Sequence, residues 1–220
     1  MLGYGKLMVS PRIKICGIAT PEALAATIAA RADYVGFNFH PPSPRLVGLD
    51  QAKELARQAA GKVQRVGLFV DAPGATVAEV LAAVPLDALQ LHGTENPARV
   101  AELRARYGLP VWKVISVATS ADLDRATAFV GAADFVLLDA KTPAGSLPGG
   151  MGLKFDWALL SGWKAPLPWG LAGGLNAENV GAAAAQTGAP LVDTASGVES
   201  APGVKDSALI AAFCAAARAA

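Results

Sequence analysis

Eight short apolar runs, each followed by a stretch with helical spacing, recur along the chain, and this repeat limits the fold more than any other feature. The runs are Arg12–Cys16, Tyr34–Phe39, Arg65–Asp71, Ala88–Gly93, Val111–Val117, Phe135–Asp139, Trp169–Ala172 and Leu191–Asp193. Strand-like runs that alternate with single helices every 20 to 35 residues or so make a parallel sheet, because each parallel strand needs a crossover before the next. Eight such units close into a barrel. An open doubly wound sheet usually offers five or six strands and a Gly-x-Gly-x-x-Gly turn after the first. Here that turn reads Cys16-Gly17-Ile18-Ala19-Thr20. The expected class is therefore α/β, a single-domain (β/α)8 TIM barrel over residues 12–220, with residues 1–11 as an N-terminal extension of no assigned role. The length of 220 residues falls in the range of about 200 to 250 usual for that fold.

The helical stretches carry their own signals. Thr20-Pro21-Glu22 opens one helix and Asn96-Pro97 another, with proline at the first helical position. Ala52, Leu55, Ala56 and Ala59 share one face, as do Val77, Val80, Leu81 and Val84, and again Val100, Leu103 and Tyr107. Further helices are expected from about Ser120 to Phe129, near Phe155-Asp156-Trp157, from Asn176-Ala177-Glu178 onward, and from Ser207 to about Ala217. The Gly/Pro-rich stretch from Ala140 to Gly152 is the longest unpatterned loop, of the kind that often serves as a lid.

Composition removes several classes of function. A hydrophobic fraction of 53% with 17% charged residues describes a globular protein with a large core. A net charge of +1 without Lys/Arg runs gives no footprint for nucleic acid or an anionic membrane. Apolar runs end well before the roughly 18 residues of a membrane span, and the first ten residues lack a signal-peptide core, so a cytoplasmic location is expected. Two distant cysteines, Cys16 and Cys214, make no disulfide framework. Two histidines, His40 and His92, without partners at ligand spacing, give no metal site.

In such a barrel the C-terminal strand ends carry the chemistry. They would present Cys16, Asn38 with Arg45 just beyond, Asp71, His92, Lys113, Asp139, Gly173-Gly174 and Ser196-Gly197. The paired glycines either let a backbone cradle a phosphate or simply make a tight turn. Arg45, on a loop stiffened by Pro41, Pro42 and Pro44, either grips a carboxylate or is solvated. Asp139 ends an otherwise apolar strand, which suits its carboxyl to holding a proton; the other reading is a cap or a loop ion pair. Cys16 is a candidate base or a small core hydrophobe. Spacing alone does not show that thiol and carboxyl face each other.

Lys14-Ile15-Cys16-Gly17, Ser43-Pro44-Arg45, Leu89-Gln90-Leu91-His92-Gly93, Leu138-Asp139, Gly149-Gly150-Met151-Gly152, Ala172-Gly173-Gly174-Leu175-Asn176 and Ser196-Gly197-Val198-Glu199 occur in an order that resembles the phosphoribosylanthranilate isomerases of tryptophan biosynthesis. The resemblance implies conversion of N-(5-phosphoribosyl)anthranilate into 1-(2-carboxyphenylamino)-1-deoxyribulose 5-phosphate, an Amadori rearrangement without cofactor or metal. It implies Cys16 as general base, with a depressed thiol pKa, and Asp139 as general acid. It further implies Arg45 at the substrate carboxylate, Gly173, Gly174, Ser196 and Gly197 in two phosphate loops, Gly150 and Gly152 in the loop over the site, and His92 and Asp193 in the pocket. The implied partner is a small phosphosugar, and the chain would act as a monomer or homodimer. Ala195 and Met151 depart from the family pattern, where serine and a small or hydroxyl residue are more usual.

Three other readings compete. Indole-glycerol-phosphate synthase needs a catalytic lysine, for which Lys113 is available, and glutamates at strand ends. A ribulose-phosphate epimerase needs metal-binding histidines that this chain lacks. A silent phosphosugar-binding barrel predicts the loss of Cys16 or Asp139, yet both are present.

Overall fold

A computed structural model describes residues 10–141 and 156–220. Eight parallel strands form a closed barrel: β1 (Arg12–Cys16), β2 (Tyr34–Asn38), β3 (Gln64–Phe69), β4 (Ala88–Leu91), β5 (Val111–Val117), β6 (Phe135–Ala140), β7 (Trp169–Leu171) and β8 (Leu191–Thr194). Closure comes from β8 pairing back onto β1, with Arg12 opposite Leu191 and Ile15 opposite Thr194. The crossovers carry α1 (Pro21–Ala29), α2 (Leu49–Ala59), α3 (Gly74–Ala83), α4 (Pro97–Tyr107), α5 (Ser120–Asp124) and α6 (Val180–Thr187), and α7 (Ser207–Arg218) ends the chain.

The anticipated caps form. The Thr20 hydroxyl accepts from the Ala23 N–H at 3.2 Å and the Asn96 side chain from the Arg99 N–H at 2.9 Å. Helices also depart from the spacing. The stretch expected as one helix to Phe129 becomes 3-10 from Arg125 onward, and only a 3-10 turn, Trp157–Leu160, is described before β7. Asn176 does not open α6. Its carboxamide accepts from the N–H groups of Glu178 and Asn179 at 3.0 and 3.1 Å, a local turn that delays the helix to Val180. Beyond β8 a 3-10 turn (Ser196–Val198) leads into a two-stranded hairpin, β9 (Glu199–Ala201) and β10 (Val204–Lys205). No periodicity announces it, since strands of two or three residues are too short to show alternation.

Side chains alternate across the barrel wall. On β1, Ile13 and Ile15 face the helices and join the large apolar cluster with Leu24, Val35 and Phe213. Lys14 and Cys16 therefore face inward. A second cluster fills the barrel interior, including Tyr34, Val66, Trp112, Val114, Phe135, Leu137 and Leu191. Trp112 meets Phe135 at 4.6 Å between ring centroids and Tyr34 at 5.0 Å. Gly170 makes room for them, because a Cβ there would sit 2.8 Å from Leu191 and 3.0 Å from Phe135. Among the described residues these side chains fill the interior below the mouth, and a cavity lies at the C-terminal end.

Ser10 and Pro11, expected as the end of an extension, already meet the barrel: the Ser10 hydroxyl donates to the Arg218 carbonyl at 3.0 Å, and Pro11 is buried. Residues 1–9 lie outside the described part of the chain, as do Gly150, Met151, Gly152 and Phe155. Among the described residues no helix is long and apolar enough to cross a membrane.

Candidate active site

One cavity at the C-terminal end of the strands is lined by Cys16, Asn38, Arg45, Gln90, His92, Asp139, Gly173, Gly174, Asp193 and Ser196, among others. Cys16 and Asp139 come from strands on opposite sides of the sheet order and line the same space, which spacing alone had left open. Three expected rim residues, Lys113, Asp71 and Gly197, do not line it. Lys113 sits between the inward-facing Trp112 and Val114, so its side chain turns outward, where Nζ donates to Glu95 at 2.8 Å and to the carbonyls of Gly93 and Leu91 at 2.7 and 3.2 Å. Asp71 is exposed, and its carboxylate accepts from the Thr94 N–H and hydroxyl at 2.7 and 3.0 Å, tying two loops together.

The thiol has charged company. Lys14, two residues earlier on the same inward face, is fully buried and donates from Nζ to Asp193 Oδ1 at 3.0 Å. Gly36 of β2 allows this arrangement, since a Cβ there would lie 2.9 Å from Cys16 Sγ and 3.3 Å from Lys14 Nζ. Burial disfavours the Lys14 ammonium, but Asp193 and Cys16 outweigh it and hold its pKa above the ordinary lysine value. At Cys16, burial pushes the thiol pKa up against the pull of Lys14 and Lys205. The depressed thiol pKa expected from the resemblance is therefore corrected. The nearby lysines limit the rise without reversing it, because desolvation of an almost enclosed anion is the larger effect.

Asp139 is 7% exposed. One carboxyl oxygen accepts from the Ala140 N–H at 2.8 Å, and the other lies 3.3 Å from His92 Nε2. It caps no helix among the described residues; its side-chain partner there is His92, in the loop after β4, so the loop pairing is present and is ionic when His92 carries a proton. Two buried atoms in this neighbourhood, His92 Nδ1 and Gln90 Oε1, have no hydrogen-bond partner among the described residues. Buried polar atoms without partners are rare. Both side chains line the cavity.

Arg45 is not a solvated loop arginine. It is 8% exposed, and its Nε and Nη2 donate to the two carboxylate oxygens of Glu199 at 2.8 Å each. Its loop is held from β2: Asn38 donates to the Ser43 hydroxyl at 3.0 Å, and that hydroxyl accepts from the Arg45 N–H at 3.2 Å.

The glycine turns are interlocked. Gly173 and Gly174 have φ of +88° and +62°, a backbone that favours glycine. A Cβ on Gly197, just beyond Ser196, would come within 1.9 Å of the Leu175 carbonyl oxygen, and the Thr194 hydroxyl donates to that same oxygen at 2.7 Å. The loops after β7 and β8 therefore meet backbone to backbone. Of the polar residues in and behind this site, Lys14, Gln90, Glu199 and Lys205 carry no assignment from sequence. For Lys14 the signal was available, since a residue two before Cys16 shares its face. Glu199 stood in a motif of the resemblance without a role, and Lys205 gave no signal, because the place of both depends on the short hairpin.

A (β/α)8 barrel whose mouth gathers a thiol and a carboxyl in one cavity, beside an arginine and two glycine loops, has the parts required of an acid–base isomerase of a small anionic sugar. Comparison with known proteins narrows that class. The family model described as N-(5'phosphoribosyl)anthranilate (PRA) isomerase matches residues 13–216. The N-(5'-phosphoribosyl)anthranilate isomerase of Rhodospirillum centenum is 54% identical over 210 residues, 94% of this chain and 98% of that one. Phosphoribosyl anthranilate isomerase from Thermotoga maritima superposes with a TM-score of 0.86 at 34% identity, over 96% of this chain and all of the other. A phosphoribosyl anthranilate isomerase in complex with reduced 1-(o-carboxyphenylamino)-1-deoxyribulose 5-phosphate gives 0.83 at 32% identity, with the same coverage. The chain belongs to the N-(5'-phosphoribosyl)anthranilate isomerase family.

Proposed function

We propose that this chain converts N-(5-phosphoribosyl)anthranilate into 1-(2-carboxyphenylamino)-1-deoxyribulose 5-phosphate in tryptophan biosynthesis, with Asp139 as general acid and Cys16 as general base. The observation that carries the reading is the single cavity at the barrel mouth that holds both side chains. Asp139 gives a proton to the ribose ring oxygen as the C1–O bond breaks and the anthranilate nitrogen lone pair forms the C1=N bond. The Cys16 thiolate takes the proton from C2, and the released electron pair forms the C1=C2 bond as the C1=N π pair returns to the nitrogen, giving an enaminol. Tautomerisation to the ketone completes an internal oxidation and reduction in which C1 is reduced and C2 oxidised. Each catalytic group handles one proton.

Arg45 receives the substrate's carboxylate, which a guanidinium matches in charge and shape. The backbones at Gly173-Gly174 and Ser196-Gly197 receive the phosphate, where the absence of a Cβ lets the anion approach the N–H groups. His92 sets the Asp139 carboxyl, and Asp193 holds Lys14 beneath the thiol. The synthase alternative loses its lysine, because Lys113 points away from the mouth and is occupied by Glu95.

The test is turnover of freshly generated N-(5-phosphoribosyl)anthranilate, followed by loss of its fluorescence, with wild type beside Asp139→Asn. Rapid loss with wild type alone is the expected result. No loss with folded wild type removes the assignment.

A further inference from the structure

Glu199 belongs to no strand end of the barrel, yet its carboxylate is 4% exposed and sits behind the cavity's arginine. It takes Arg45 Nε and Nη2 on its two oxygens, the fork-to-fork geometry that fixes the plane of a guanidinium as well as its position. The first of those oxygens also accepts from Lys205 Nζ at 2.7 Å, and the same ammonium donates to the Ala195 carbonyl at 2.7 Å, one residue before Ser196. Lys205 is itself 2% exposed in its side chain. The hairpin that carries both groups is seated on the arginine's loop: Gly203, with φ of +82°, brings its Cα so close that a Cβ would lie 2.4 Å from the Pro44 carbonyl oxygen.

We infer that Glu199 is a positioning residue for substrate recognition: seated on the β9–β10 hairpin and braced by Lys205, it aims the Arg45 guanidinium at the substrate's carboxylate. The inference rests on the reading of Arg45 given above. Two observations favour positioning over a purely structural link. Arg45 lines the cavity while Glu199 does not, so the acid acts through the base. Lys205 binds the same carboxylate, which fixes Glu199 in place behind the arginine. Arg45, Glu199 and Lys205 thus form one cluster on the side of the mouth where the substrate's carboxylate docks in this reading. The Ala195 contact ties the same cluster to the loop before Ser196.

Glu199→Gln keeps the shape and removes the charge and one of the two acceptors. It is measured beside Arg45→Ala and the double variant, using KM and kcat for N-(5-phosphoribosyl)anthranilate and the inhibition constant of ribulose 5-phosphate, which has the phosphate but no aryl carboxylate. The expected result for Glu199→Gln is a KM raised about tenfold, kcat within about threefold of wild type, and ribulose 5-phosphate inhibition within about twofold. In the Arg45→Ala background the same change adds less than about twofold. An unchanged KM, equal weakening of both ligands, or a full effect that persists without Arg45 overturns the proposal. Should circular dichroism show Glu199→Gln unfolded, Glu199→Asp carries the same cycle, its shorter arm keeping the charge but not the two-point grip, with a KM rise of about threefold. Arg45→Ala alone weakening both ligands equally would remove Arg45 from the carboxylate and overturn both readings. Its selective loss of the anthranilate substrate, with no effect of Glu199, would overturn this one only.

Discussion

Lys14 and Cys16 stand two residues apart on one strand, and that parity places a fully buried ammonium beneath the candidate base. Removing one partner of a buried ion pair leaves the other charge uncompensated, which costs roughly 3–5 kcal/mol. Lys14→Met is expected to lose about that much stability to denaturant through the stranded Asp193, and Lys14→Met with Asp193→Leu to recover most of it. The thiol itself can be titrated by alkylation with iodoacetamide. Because burial raises the Cys16 pKa, the reactive thiolate grows as pH rises and the inflection is expected above that of an ordinary cysteine. Losing the lysine charge moves that inflection higher still. Cys214, pushed up to about 11 by burial and 1% exposed, stays silent in the folded protein. Replacement of the proposed base and acid has a different signature: Cys16→Ser and Asp139→Asn are each expected to lower kcat by about 10²–10⁴-fold with the melting temperature nearly unchanged, and near-normal turnover would remove those roles. At this scale Cys16, Asp139 and Arg45 were legible because their types and strand-end positions are visible in one dimension. The direction of the thiol's shift was not, since it depends on how completely the fold excludes water.

Elements decide where loops meet. Gly197 touches the Leu175 carbonyl across the gap between the β7 and β8 loops, so Gly197→Ala must part them. The expected outcome is weaker inhibition by inorganic phosphate together with a loss of about 1–3 kcal/mol, read by titration and by denaturant unfolding. A cap far from the mouth should behave otherwise. Thr20→Ala removes the hydroxyl that accepts from the Ala23 N–H and is expected to cost about 1 kcal/mol with KM and kcat unchanged. The strands and most caps were readable, because apolar runs and Thr-Pro or Asn-Pro pairs act locally. The late start of α6 and the break after α5 were not, since a side chain such as Asn176 can serve a turn as readily as a helix. The β9–β10 hairpin was invisible for a further reason: it is held by Pro44 and Arg45, more than 150 residues earlier in the chain.

The whole molecule places every cavity residue on one end of one barrel, so binding there should stabilise the entire fold. Product at about 100 times its Kd is expected to add about 2.7 kcal/mol, which for a chain of this size raises the melting temperature by roughly 5–11 °C. No shift with product, against a clear turnover signal, would show binding uncoupled from the barrel's unfolding. The sequence by itself determined the eightfold βα repeat, hence the barrel, and with it which end of each strand carries chemistry, because hydrophobic period and strand direction are written in adjacent residues. Only the tertiary structure decided which of those residues share the cavity. Lys113 and Asp71 stand at strand ends yet turn away, while Lys14, Glu199 and Lys205 converge behind the site from distant segments. Inward or outward facing and the closure of β8 on β1 are set by packing across the whole circle, and no local stretch of chain contains that information.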